Sequence, residues 1–241
     1  MIYFIGAGPG AADLITVKGK DLLEKADLII YAGSLVNPEL LKYAKPECVI
    51  MDSAKMTLEE VIAAMVPAAQ AGKLVVRLHT GDPSVYGAHR EQIDLLRSLD
   101  AEYTLPNVSQ SVIITRMEGR TPVPNKQKIA DYAAHKATMV IFLSSGMLEK
   151  LQKELISGGY TADTPAAIVY KASWPDEKVC RCTVGTLAET AKEHNITKTA
   201  LITVGNFLGN IYDRSELYNP TFAHGYRTAD PSKLDLKPEV K

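Results

Sequence analysis

Cysteine is scarce: three residues in 241, Cys48, Cys180 and Cys182. An odd number with no C-x-x-C spacing excludes a disulfide framework and gives no zinc-site pattern, so no metal site is expected. Cys180 and Cys182, two apart, share one face of a strand and read as packing residues. Long apolar runs are missing too. No stretch reaches the roughly 18 uncharged residues needed to cross a bilayer, and Met1-Ile2-Tyr3-Phe4-Ile5-Gly6 lacks the basic start of a signal peptide. The expectation is a cytoplasmic protein with no membrane partner. Nor is there an excess of one charge: 27 Lys and Arg stand against 28 Asp and Glu, a net charge of −1. Such a chain carries no global positive field, and no nucleic-acid partner is expected. Internal repeats and low-complexity tracts are absent, which excludes solenoids and arrays.

What is present is the composition of an ordinary globular protein, 46% hydrophobic and 23% charged, with material for one large domain or two small ones. Short apolar runs alternate with amphipathic stretches: Ile2 to Ile5, a helix over 17–25, Leu28 to Tyr31, Val49 to Met51, a helix over 58–71, then Leu74 to Leu78. This alternation predicts an α/β fold with a parallel sheet and crossover helices. The stretch 116–124 (Arg-Met-Glu-Gly-Arg-Thr-Pro-Val-Pro) reads as a linker. Domains are therefore expected at 1–115 and 125–227, with a flexible tail at 228–241. The second half predicts helices over 126–135, 148–157 and 187–194 and strands over 138–143, 166–170, 179–184 and 200–204.

Ligands of open parallel sheets sit at the carboxyl ends of the strands, so the residues after each apolar run are the candidate site. The first run ends in Gly6-Ala7-Gly8-Pro9-Gly10, either a plain structural turn or one that lets a ligand approach backbone N–H groups. It lacks the G-x-G-x-x-G spacing of a dinucleotide fold. No acidic residue closes the second strand, where Tyr31-Ala32-Gly33-Ser34 stands, which argues against an NAD enzyme. After Leu74 to Leu78 comes His79-Thr80-Gly81-Asp82-Pro83-Ser84-Val85-Tyr86-Gly87. There Asp82 either caps a turn or faces a ligand, His79 either makes a structural hydrogen bond or handles a proton, and Tyr86 is core or ligand contact. His89, His135 and His194 read as solvated surface. In the second half Ser144-Ser145-Gly146, Lys171-Ala172-Ser173-Trp174-Pro175 and Gly205-Asn206 follow strands in the same way, with Trp174 read as a packed loop wall.

Taken together, the stretches 3–10, 14–19, 31–36, 79–87, 115–124, 170–177 and 221–227 resemble the tetrapyrrole methylases, nearly end to end. The glycine turn and Gly81-Asp82-Pro83 are shared across that family. Gly119-Arg120-Thr121-Pro122-Val123-Pro124 and Lys171-Ala172-Ser173-Trp174-Pro175-Asp176-Glu177 are similar to the branch that methylates carbon 11 of a corrin precursor. The resemblance implies two α/β domains with S-adenosylmethionine in the cleft between them, and a homodimer. It places Pro9, Gly81, Asp82, Pro83 and Tyr86 on the donor, joined by Ser144, Ser145, Ala172 and Gly205, with Asp82 orienting donor or substrate. A tetrapyrrole substrate carries many carboxylates, and Arg116, Arg120 and Lys18, with Arg77 as a weaker candidate, are the cations expected to meet them. Within the family the alternatives are another tetrapyrrole, such as uroporphyrinogen III, a protein or ribosomal RNA target, and a homologue that binds the donor without turning it over.

One departure stands out. In the family a strand, a donor-contacting turn and a helix precede the counterpart of Leu105-Pro106, and here Leu95 to Asp100 runs almost directly into Ala101 to Pro106. Losing a sheet strand and its helix should cost more than the roughly 5–15 kcal/mol that holds a domain folded. Either the protein lacks the segment, which would weaken donor binding and expose core, or the sequence closes over residues of the natural chain; the second is the expectation, with a join near Asp100–Ala101 too long for a peptide bond.

Overall fold

The computed structural model describes residues 1–96 and 104–233, so the expected join at Asp100–Ala101 lies outside the described residues. The chain divides into two compact units, Met1–Glu102 with Arg214–Lys241, and Tyr103–Asp213.

The first unit runs β1 (Ile2–Gly6), α1 (Val17–Lys25), β2 (Leu28–Tyr31), β3 (Val49–Asp52), α2 (Leu58–Gln70), β4 (Val75–His79) and α3 (Arg90–Leu95). Local chemistry sets the helix starts. Thr16 caps α1 by accepting from Gly19 N–H, and Thr57 and Glu60 form a reciprocal capping box at the start of α2. The strands pair in the order β1-β4-β2-β3, every pair parallel. Strand parity then sorts the side chains onto two faces. Ile29, Val76 and Leu78 pack with Leu23 of α1 and Leu40, while Leu28, Ile30 and Val75 pack with Val61, Ile62 and Met65 of α2. Each fully buried aliphatic side chain contributes about 1.5–3 kcal/mol. Such burial on both faces is why the runs read as continuous apolar segments.

The second unit runs β5 (Val112–Arg116), α4 (Ile129–Ala133), β6 (Thr138–Phe142), α5 (Leu148–Gly158), β7 (Pro165–Tyr170), β8 (Lys178–Thr183), α6 (Leu187–Glu193) and β9 (Ala200–Val204). Its sheet has the order β5-β6-β9-β7-β8, and among the described residues β5–β6 is its only parallel pair of neighbours. Met139, Ile141, Ile168, Ile202 and Val204 form one core with Leu151 and Leu155 of α5 and Leu187 of α6. Cys180 is buried in that core and Cys182 packs against it, its thiol pushed up to about 11 by burial.

Two boundaries differ from the sequence reading. The division before the second unit falls ahead of β5, a strand the linker-based boundary at 115–116 placed in the first domain. Residues 214–227, expected in the second domain, belong to the first unit, and within the tail expected from 228 Pro231–Lys233 form a short helical turn. Arg77 explains part of this. Its guanidinium, fully buried on the α2 face of β4, donates to Tyr218 Oη at 2.7 Å and so anchors the returning segment.

Candidate functional site

All four strands of the first unit point their carboxyl ends to one edge, and the loops there meet. Ala7 N–H donates to His79 O at 2.7 Å, and Gly8 and Gly81 form an isolated bridge. A Cβ on Gly6 would stand 2.2 Å from Gly81 O, so only glycine lets the two turns touch. Gly81 itself has φ +55°. The glycine turn and the Gly81-Asp82-Pro83 turn thus form one wall. Beside it lies a cavity of about 380 Å³ lined by Gly6, Gly8, Lys18, Gly81, Asp82 and Pro83 and extending along Tyr3, Phe4 and Ile5 of β1. Pro9 is exposed next to that wall. Asp82 Oδ1 accepts from Ser84 N–H at 2.9 Å and Ser84 Oγ–H at 2.6 Å, so the carboxylate caps its own turn while its side chain lines the cavity. Tyr86 is 66% exposed with φ +55°, placing the ring outside the core.

Beneath this edge, on the α2 face, lies a polar layer. Arg77 donates to Gln92 Oε1 at 3.0 Å, Ile30 O at 3.0 Å and Ser53 Oγ at 2.9 Å as well as to Tyr218. All four partners are neutral. Arg77 therefore cannot reach a substrate, which corrects its reading as a carboxylate ligand. His79 is buried and stacks on Phe4 with ring centroids 6.0 Å apart, while His89 meets it edge-on at 5.8 Å. Burial, with Arg77 and His89 nearby, holds the His79 imidazole well below its usual range. His79 Nε2 has no hydrogen-bond partner among the described residues, so the structural hydrogen bond expected there is absent at that atom. His89 is also buried, contrary to its surface reading, whereas His135 and His194 are exposed as expected.

In the second unit the carboxyl ends of β5, β6 and β7 share one edge. Ser144 is fully buried there, accepting from Met117 N–H at 3.0 Å and donating to Phe142 O at 2.7 Å. It ties the loop after β5 to the end of β6. Ser145 lines a cavity of about 520 Å³ with the start of α5 and residues 195–197. Ala172 is exposed between Lys171 and Ser173, both at positive φ, in a loop braced by the Lys171–Asp176 ion pair at 2.5 Å. Trp174, read as a packed wall, is 57% exposed, with Lys171 Nζ 5.3 Å from its ring centre. Arg116 is occupied by its own loop, donating to the carbonyls of Met117, Thr121 and Pro122 at 3.0–3.2 Å. Arg120 and Lys18 are exposed.

Gly205 does not join this group. Because β9 runs antiparallel to β6 and β7, its carboxyl end lies beside their starts: Val204 pairs with Met139 and Ala166, and a Cβ on Gly205 would meet Thr138 Cα at 3.4 Å. Grouping it with Ser144, Ser145 and Ala172 by its place after a strand is thereby corrected. The sequence reading also missed the Arg77–Tyr218 anchor. The available signal was a charged residue inside the run Leu74 to Leu78, which burial on both faces obliges to find internal partners. Among the described residues no group of three or more His, Cys, Asp or Glu could hold a metal ion, and no helix is long and apolar enough to cross a membrane.

Two α/β units, the first with its small-molecule cavity at the carboxyl edge of a parallel sheet, define a ligand-binding α/β protein of enzyme type. The chain belongs to the tetrapyrrole (corrin/porphyrin) methylases, whose family model matches residues 1–188. It is 53% identical to the cobalt-precorrin-4 C(11)-methyltransferase of Methanocaldococcus jannaschii, over 94% of this chain and 95% of that one. It is 45% identical to the enzyme of the same name from Priestia megaterium, over 94% and 97%. An X-ray structure of a cobalamin biosynthetic enzyme, cobalt precorrin-4 methyltransferase, is 44% identical over 87% of this chain and 96% of that one, with a TM-score of 0.46. The first alignment runs over 247 positions while taking up 94% of 241 residues, about 227, so about twenty positions of that relative have no counterpart here.

Proposed function

We propose that this protein transfers a methyl group from S-adenosylmethionine to carbon 11 of precorrin-4 or cobalt-precorrin-4 in cobalamin biosynthesis. The observation that carries the reading is the packing of Gly6 and Gly8 against the Gly81-Asp82-Pro83 turn at the strand ends, in a chain 53% identical to a cobalt-precorrin-4 C(11)-methyltransferase. Glycine-lined turns expose backbone N–H groups at the strand ends, and Asp82 adds a carboxylate beside them, a donor and acceptor set suited to an amino-acid and ribose moiety. When bound, the sulfonium supplies a methyl group to a ring carbon that provides the electron pair for the new bond, while the old C–S pair stays on sulfur. The chain's part is positioning, which requires no nucleophilic side chain. In this reading Pro9, Gly81, Asp82, Pro83 and Tyr86 hold the donor in the first unit, Ser145 and Ala172 are the second unit's donor contacts, and Ser144 acts by holding its loop. Lys18 and Arg120 meet substrate carboxylates; Arg116 shapes the loop that presents Arg120.

Turnover with cobalt-precorrin-4, precorrin-4 and uroporphyrinogen III, together with titration against S-adenosylhomocysteine and NAD, tests the proposal. Methylation of a precorrin-4 species and binding of S-adenosylhomocysteine are expected. Methylation of uroporphyrinogen III alone overturns the substrate, and binding of NAD without S-adenosylhomocysteine overturns the whole reading.

A second reading, donor binding without turnover, has a specific observation behind it. β1 pairs only with β4 among the described residues, and its apolar residues Ile2 to Ile5 are all half-buried, the pattern of a central strand left at an edge. Together with the twenty unmatched positions this fits a first unit short of one strand. Intact mass separates the two: a natural chain heavier than 26.2 kDa restores the missing strand, whereas 26.2 kDa with binding but no turnover supports the second reading.

A further inference from the structure

The segment 214–233 folds back across the first unit as a strap that is fastened heavily for its length. Arg214 pairs with Glu59 at 2.8 Å, Ser215 N–H donates to Glu91, and Tyr218 receives the buried Arg77. Arg227 donates to Met56 O at 2.7 Å and, within the strap itself, to Asn219 O at 2.7 Å and Leu217 O at 3.1 Å. Of its aromatic side chains only Tyr218 enters the core; Phe222 and Tyr226 stay 42% and 59% exposed, and Tyr226 lies 6.4 Å from the His224 ring. Anchors on a peptide backbone that keeps its aromatic rings in water imply that the rings have another task.

Between the strap and the ends of β2 and β3 is a mostly apolar cleft of about 150 Å³, lined by Gly33, Leu35, Leu217, Tyr218, His224 and Tyr226. Leu35 is 77% exposed although apolar. His224 Nδ1 accepts from Tyr226 N–H at 3.3 Å, so the neutral ring carries its proton on Nε2 as a hydrogen-bond donor. The cleft is at the same carboxyl edge as the Gly81-Asp82 cavity, displaced toward β3 by two strand spacings, about 10 Å.

The geometry points to a substrate subsite: the strap cleft takes one carboxylate-bearing pyrrole ring of the tetrapyrrole. Leu35, Leu217 and Tyr226 cover the ring's flat face, and His224 Nε2–H donates to its carboxylate. The volume suits a single five-membered ring with its side chain, not a macrocycle, so the rest of the substrate extends along the sheet edge toward the Gly81-Asp82 cavity. This rests on the reading of the chain as a tetrapyrrole methylase acting on a precorrin.

Equilibrium binding of cobalt-precorrin-4 to the full chain, in the presence of S-adenosylhomocysteine so that no turnover occurs, tests it. His224→Ala and Leu35→Asp are expected to weaken tetrapyrrole binding about tenfold or more, the scale of one lost charge-assisted hydrogen bond or of a carboxylate facing a carboxylate. Affinity for S-adenosylhomocysteine and the melting temperature should stay unchanged, and His224→Gln, which keeps an N–H donor, should recover most of the loss. Leu35 is exposed, so its variant reports even if the histidine variants fold poorly. Equal binding by wild type and both variants, or no binding by wild type, overturns the subsite. Binding lost in the variants while wild type binds but never methylates leaves the subsite standing and overturns the proposed activity instead.

Discussion

The two units are built from similar lengths of strand and helix, yet they present their loops differently. In the first, four parallel strands deliver every strand-end loop to one edge. In the second, β8 and β9 reverse direction, so loops that look equivalent in sequence are split between opposite edges. Position after a strand is therefore a reliable guide to site membership in an all-parallel sheet and an unreliable one in a mixed sheet. A second contrast lies in what is buried. The first unit hides Arg77, His79 and His89 beneath its site edge, whereas the second has one apolar core.

The largest effect should come from breaking the first unit's polar layer. Arg77→Leu leaves Ser53, Gln92, Tyr218 and Ile30 O without their donor in a dry interior and releases the strap's central anchor. A loss of about 3–5 kcal/mol is expected in urea unfolding, the range for truncating one partner of a buried charged network. A loss below about 1 kcal/mol would mean that the layer is hydrated and that the contrast between the units is shallow.

Next in size is a pair of glycines chosen to test the edge argument directly. Gly6→Ala drives a methyl group against Gly81 O and must separate the two turns, so S-adenosylhomocysteine affinity should fall at least about tenfold. Gly205→Ala strains a backbone at φ +142° but sits at the far edge of its sheet. It should cost about 1 kcal/mol of stability or more and leave that affinity unchanged. If Gly205→Ala also abolishes donor binding, the assignment of strand direction to function is wrong.

A smaller change is expected from Ser144→Ala, which orphans the buried Met117 N–H at a loss of about 1–3 kcal/mol in thermal or urea unfolding. Since Ser144 Oγ is spent on backbone on both sides, donor affinity should fall less than with Ser145→Asp, which places charge at the exposed mouth of the neighbouring cavity. The reverse order would return Ser144 to the ligand.

How far these features were legible from sequence follows the same division. The bounds of α1, β2 and β9 coincide with the reading, and those of β1, β3, β4 and α2 differ by a residue, because period and punctuation agree there. β5 escaped because Val112 to Thr115 abuts a polar, proline-bearing stretch that reads as linker. The Gly6–Gly81 contact was only implied, since register between β1 and β4 fixes it and no local pattern encodes register. Gly205 was misplaced because strand direction is a tertiary property. The strap was misassigned because its anchor, Tyr218 on Arg77, joins residues 141 apart.

The smallest expected effect is a pH dependence that belongs to the first unit. His79 has its folded-state pKa lowered by burial first, then by Arg77 and His89, below the ordinary value of 6.5. A histidine held neutral in the folded state binds a proton more readily once unfolded, so the unfolded state gains protons first as the pH falls. Stability is therefore fully present above about pH 6.5 and declines as the pH drops below it, with a one-proton limit of about 1.4 kcal/mol per pH unit. His79→Phe, which keeps a ring against Phe4, should flatten that slope between pH 6.5 and 5 in urea titrations and cost little at pH 8. An unchanged slope assigns the acid sensitivity to another group and leaves His79 a packing residue alone.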